Sequence, residues 1–149
     1  MQIKELGHVV LYVTDVTKMA DFYKDTLGFH EVARRPGMAI FSGGRTHHEL
    51  LMIEVGGKPK VHRTSGTPER GLYHIGFKIG DSTEDVKTAF KELTLAGADI
   101  IGATDHGVTH SLYIFDPDGN ELELYADVSD AWKTDPEAIL APARRLDLS

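Results

Sequence analysis

Eight histidines, 23 acidic residues and no cysteine leave imidazole and carboxylate as the side chains able to hold a metal or move protons near neutrality. The absence of thiols excludes disulfides, a thiolate nucleophile and cysteine zinc sites. The available donors therefore suit harder, oxygen-handling metals. Two histidines occupy matching places: His8 in "GHVVLYV" and His74 in "YHIGFKI", each entering an alternating apolar run. Two carboxylates, Glu121 and Glu123, stand two residues apart in "NELELYAD", while His48 and Glu49 adjoin in "THHELLMIEV". Tyr113 in "HSLYIFD" adds a phenol.

The elements that would position these groups form an internal repeat. "GHVVLYVTDVTKMADFYKDTLGF" from Gly7 and "YHIGFKIGDSTEDVKTAFKELTLAG" from Tyr73 each run from a histidine through an apolar strand to an aspartate (Asp15, Asp81), then through a helix to a glycine (Gly28, Gly97). Met19, Phe22, Tyr23 and Leu27 recur at helical spacing in the first copy, and Val86, Ala89, Phe90 and Leu93 in the second. Asp15 or Thr17, and Asp81 or Ser82, suit the N-caps, and the two glycines suit left-handed C-caps. Three strands follow each helix: "HEVARRP", "MAIFSG" and "HHELLMIEV", then "ADIIGATD", "HSLYIFD" and "ELELYAD", with turns at "SGGRT" and "DPDGN". The expected fold class is α+β, two βαβββ modules paired by internal duplication into a curved, barrel-like mixed sheet with helices outside. One domain spans residues 1–149: module one over about 1–57, a polar linker over about 58–71, module two over about 72–127, and a tail from 128 with a short helix in "DPEAILAPARR".

Strand side chains alternate faces. Val9, Leu11 and Val13 form the apolar parity of the first strand, leaving His8, Val10 and Tyr12 opposite. Ile75, Phe77 and Ile79 leave His74, Gly76 and Lys78, and Leu122 and Leu124 leave Glu121, Glu123 and Tyr125. Leu112 and Ile114 put Tyr113 on the open face and His110 on the helix side. In "HHELLMIEV" the set Leu51, Ile53 and Val55 reads as helix-facing with Glu49, so His48, with Leu50, Met52 and Glu54, is expected to face the site. His30, His47 and His62 read as surface or loop. Alternation places Glu121 and Glu123 together and does not choose between them.

Nearly the whole chain resembles the vicinal oxygen chelate superfamily, and within it the small extradiol catechol 2,3-dioxygenases. The resemblance rests on "GHVVLYVTDVTKMADFYKDTLGF", "HHELLMIEV", "GLYHIGFKI", "DHGVTHSLYIFDPDGNELELYAD" and the tail "WKTDPEAILAPARRLDL". It implies metal ligands at His8, His74 and Glu123, choosing Glu123 over Glu121. It further implies a catalytic acid/base at His48, a substrate-bonding phenol at Tyr113 and an active-site histidine at His106. The implied cofactor is iron(II), with manganese(II) suited to the same donors, and the implied substrates are an aromatic diol and O2. A homodimer or higher homo-oligomer is implied as well. A rival on the same fold is a glyoxalase-like or epimerase-like isomerase with a further ligand carboxylate, for which Glu49 is the candidate. A second rival is a metal-free protein that sequesters a ligand.

Composition narrows the partners. A net charge of -7 and a pI near 5.5 carry no clustered basic face for a phosphate backbone, so nucleic acid is not expected. No apolar run approaches the ~20 residues that span a bilayer, and "MQIKELGHVV" has no leader pattern. A cytoplasmic enzyme is the expectation.

Overall fold

The computed structural model describes residues 1–59 and 70–148. Most of the expected linker, and His62 with it, lies outside the described residues. The chain divides into two compact units, Met1–Val61 and His62–Ser149.

The first unit contains β1 (Val9–Val13), α1 (Val16–Asp21) with a π-type turn over Phe22–Thr26, β2 (Glu31–Arg35), β3 (Met38–Phe41) and β4 (Leu50–Glu54). Its sheet runs in the order β1-β4-β3-β2, with β1 and β4 parallel and the other pairs antiparallel. The Asp15 carboxylate accepts the Lys18 N–H at 2.9 Å, capping α1. The helix ends at Gly28, where φ is 69°. The core is Leu11, Val13, Met19, Tyr23, Phe41, Leu50 and Met52, all buried between helix and sheet.

The second unit repeats this topology with β5 (His74–Gly80), α2 (Thr83–Leu95), β6 (Asp99–Asp105), β7 (Thr109–Phe115), β8 (Glu121–Asp127) and a short edge strand β9 (Arg144–Arg145). Its order is β5-β8-β7-β6-β9, with β5 and β8 parallel. Ser82 and Asp85 form a capping box at the start of α2. A Cβ at Gly80 would collide with the Asp85 carboxylate, so a glycine is needed there. At the other end Gly97 N–H donates to Thr94 O and Ala98 N–H to Leu93 O, a Schellman closure that the left-handed Gly97 permits. In the β7–β8 turn Asp116 Oδ1 accepts the N–H groups of Asp118 and Asn120, fixing the hairpin that feeds β8. The architecture is therefore α+β, with two mixed sheets each backed by one helix and neither closed into a barrel.

Two expectations need correction. In β4 the buried pair is Leu50 and Met52, while Leu51 and Ile53 are half-exposed. The set Leu51, Ile53 and Val55 therefore lies on the open face, and Leu50, Met52 and Glu54 on the helix side. The physical reason is Glu54, whose Oε2 accepts the Val16 N–H at 2.9 Å and so caps α1 from within the core parity. The tail is also more tightly held than expected. Beyond a 3₁₀ turn at Pro136–Leu140, β9 adds to the edge of β6, and Leu148 is buried. Among the described residues no helix is long and apolar enough to cross a membrane.

The capping box supplies a stability prediction. Ser82→Ala is expected to cost about 1 kcal/mol, read as a lower urea midpoint at unchanged slope. An unchanged midpoint would show that α2 is held by packing alone.

Candidate metal and diol site

The polar groups of the second unit gather on the open face of its sheet. In β8 Leu122, Leu124 and Ala126 are buried against α2, and Glu121, Glu123 and Tyr125 are not. Register sets Glu123 beside Gly76 on β5 and beside Tyr113 on β7. His74, at the first position of β5, brings Nε2 within 3.2 Å of Glu123 Oε2. The other carboxylate oxygen, Oε1, accepts hydrogen bonds from Ser111 Oγ at 2.6 Å and from the Tyr113 hydroxyl at 3.1 Å. The Tyr113 hydroxyl also lies 2.9 Å from His106 Nε2. With the single phenolic hydrogen directed to Glu123, the His106 Nε2 must be the donor in that contact. Burial and then the Glu123 charge push the Tyr113 phenol well above its ordinary pKa, so it stays protonated. His106 is held by a tight β6–β7 hairpin, in which its N–H donates to Thr109 O and Gly107, at φ 81°, turns the chain. His110 falls on the helix side as expected, its Nδ1 2.9 Å from the Thr83 hydroxyl.

In the first unit His8 immediately precedes β1, and its ring lies 4.5 Å, centroid to centroid, from that of His48. His47, exposed as expected, shares a hydrogen bond of 2.5 Å with His48 through their Nδ1 atoms. Partial burial and the neighbouring His47 and His8 rings hold the His48 imidazole below its ordinary pKa. Glu49 has a different task. Its Oε2 accepts the Gly43 N–H at 2.7 Å and its Oε1 the Thr46 N–H at 3.1 Å, closing the β3–β4 loop. Partial burial opposes its ionisation. The hydrogen bonds from Gly43, Ser42 and Thr46 and the charge of Arg45 outweigh it and hold Glu49 below the usual carboxylate range. Arg45 also donates to the carbonyls of Leu6 and Gly7, tying the loop to the segment that leads into His8. Glu49, singled out in the sequence only as a rival ligand, and Arg45, which sequence reasoning did not identify, hold this end of the unit together. The acidic residue following the histidine pair was the available signal.

The structure thus brings together His74, Glu123, Tyr113 and His106 in one unit and His8 with His48 in the other. Among the described residues no group of three or more histidine, aspartate or glutamate side chains forms a ready-made cation site. The donor chemistry nonetheless fits a metal. Two ligands bound at about 2.1 Å and at right angles stand about 3 Å apart, which is the order of the His74–Glu123 separation. His74 turns Nε2 to Glu123, while its Nδ1 is buried without a hydrogen-bond partner, with Glu121 Oε1 4.0 Å away.

Comparison with known proteins accords with these features. The chain is 34% identical over 122 residues to a biphenyl-2,3-diol 1,2-dioxygenase of Rhodococcus globerulus, covering 82% of this chain and 63% of that protein. It is 31% identical over 137 residues to a catechol-2,3-dioxygenase of Bacillus subtilis, covering 89% of this chain and 45% of that one. The chain therefore spans less than two thirds of the length of these relatives. The crystal structure of a lactoylglutathione lyase from Agrobacterium tumefaciens shares the fold, with a TM-score of 0.62 at 21% identity over 85% of this chain and 96% of that one. Residues 5–124 match the sequence pattern of the Glyoxalase/Bleomycin resistance protein/Dioxygenase superfamily, and the chain belongs to that superfamily.

Proposed function

We propose that the protein is an extradiol dioxygenase that opens the ring of catechol or a substituted catechol with O2, at a non-haem iron(II) held by His8, His74 and Glu123. The observation that carries this reading is a difference between two equivalent strand positions. β1 pairs with β4 so that Val9 faces Leu50 and Val10 faces Leu51, and β5 pairs with β8 so that Ile75 faces Leu122 and Gly76 faces Glu123. His8 precedes Val9 as His74 precedes Ile75. Leu51 is therefore the counterpart of Glu123, and Glu49 the counterpart of Glu121. An isomerase of this superfamily would need a further ligand carboxylate from β4. Position 51 is a leucine, and Glu49 is committed to the loop backbone.

The donor set then stops at two imidazoles and one carboxylate, which leaves adjacent positions open for both oxygens of a diol and for O2. Iron(II) bound there would supply the electron transfer that O2 requires. Manganese(II) suits the same donors, and metal analysis of the purified protein distinguishes the two. His48 is the acid/base of this reading. Its Nδ1 is engaged by His47, which leaves Nε2 to accept and return the diol proton. Tyr113 donates its hydroxyl hydrogen to a substrate oxygen, and His106 Nε2 holds that hydroxyl in place. A metal-free sequestering protein would have no use for a carboxylate oriented by two hydroxyls beside an imidazole. The dioxygenase names of the relatives also favour ring cleavage.

The test is anaerobic loading with iron(II), addition of a panel of substituted catechols, and admission of air. A yellow ring-cleavage product with matching oxygen uptake is expected. Absence of both across the panel would overturn the proposal.

A further inference from the structure

We propose that Ser111 is a positioning residue that decides which oxygen of Glu123 meets the metal and keeps that carboxylate to ligation through one oxygen; the inference rests on the iron-site reading above. Ser111 lies on β7 with 0% of its surface exposed. A hydroxyl so fully withdrawn from water needs a hydrogen-bond partner. That partner is Glu123 Oε1, and at 2.6 Å the bond has the short length of a charge-assisted O–H···O⁻ contact. The opposite oxygen, Oε2, is the one aimed at His74 Nε2. Tyr113 also donates to Oε1. Its hydroxyl turns to the substrate in the proposed reaction, which leaves Ser111 as the remaining donor.

The consequence concerns open coordination positions. A carboxylate swinging both oxygens onto the ion would occupy one position more. A diol and O2 together need three positions, and three protein donors leave three in an octahedral set. With Oε1 committed to Ser111, Glu123 presents Oε2 alone. No other buried hydroxyl among the described residues donates to this carboxylate within the second unit.

The experiment uses the full chain with cobalt(II) and iron(II) under anaerobic conditions, comparing wild type with Tyr113→Phe, which removes the second donor to Oε1, and with Ser111→Ala, Ser111→Cys and Ser111→Thr in that Tyr113→Phe background. Metal affinity is titrated, and the carboxylate stretching bands are read from metal-loaded minus metal-free infrared difference spectra. Ser111→Ala and Ser111→Cys, the latter keeping the volume with a weak donor, are expected to bind metal roughly tenfold more weakly. Their symmetric and antisymmetric carboxylate bands are expected to draw closer as the freed oxygen reaches the ion. Ser111→Thr, which keeps the hydroxyl, is expected to restore both readouts. Unchanged affinity and bands in the alanine and cysteine variants would overturn the role, as would a loss that threonine does not rescue. If the wild type takes no cobalt at a site removed by Glu123→Ala, the iron-site reading itself falls and this inference falls with it. That failure is visible in the wild-type titration alone.

Discussion

A His74→Ala protein is expected to fold, to purify without iron and to show no ring cleavage. His74 stands on the open face of β5, away from the core that Val86, Leu93, Leu112, Ile114, Leu122 and Leu124 build beneath the sheet. Its removal leaves no core cavity, so the metal-free variant should lie within about 0.5 kcal/mol of wild type. It also removes a buried Nδ1 that has no hydrogen-bond partner, an unfavourable group in the metal-free state. Metal binding is where the effect is large. The pair of His74 Nε2 and Glu123 Oε2 is the part of the proposed donor set already assembled within one unit, and losing it removes half of the nitrogen donors. Wild-type protein at a metal concentration 100 times the dissociation constant should gain about 2.7 kcal/mol of stability, seen as a rise in Tm that His74→Ala lacks. A variant that binds one iron per chain and retains the same Tm shift would remove His74 from the ligand set.

Much of the fold was legible because local signals agreed with one another. The two copies showed the same order of strand, cap, helix, left-handed glycine and three strands, and the structure has equivalent sheet orders with Gly28 and Gly97 at positive φ. In β7 and β8 one face is apolar and the other polar or aromatic, and in β1 Leu11 and Val13 are buried while Val10 and Tyr12 are exposed, so alternation assigned the faces correctly. In β4 it did not. Leu50, Leu51, Met52 and Ile53 are all apolar, and the choice of face fell on the single charged residue, Glu54. That residue was read with the site-facing set but lies on the helix side, where its carboxylate accepts an unpaired N–H at the start of α1. His48 lies outside that strand, since β4 begins only at Leu50, and its ring is beside that of His8. The bend at Glu49 breaks the alternation before it reaches the histidines. Hydrogen bonds from Ser111 to Glu123 and from Arg45 to the His8 approach left no periodic trace, since single polar contacts carry no repeat.

His48→Ala is expected to divide the two functions that His74→Ala removes together. It should retain one iron per chain with little change in affinity, yet lose about 10²–10⁴-fold in kcat with KM for the diol changed far less. The structural basis is that His48 is not placed among the proposed donors. Its ring lies tilted against that of His8, with one nitrogen engaged by His47, while its backbone sits in a loop closed by other residues. That loop is closed by Glu49 through Gly43 and Thr46, by Ser42 Oγ donating to Thr46 O, and by Arg45 donating to Leu6 O and Gly7 O. Truncating the imidazole therefore leaves the loop and the approach to His8 in place, and what disappears is a proton acceptor. His47→Ala supplies the control. Removing the exposed neighbour frees His48 Nδ1 without deleting Nε2, so kcat should fall much less than in His48→Ala. If His48→Ala and His74→Ala lose metal equally, His48 is a ligand and its assignment as acid/base is wrong. If His47→Ala matches His48→Ala in kcat, the proton is handled by the histidine pair as a unit, and Nε2 of His48 is not the atom that moves it.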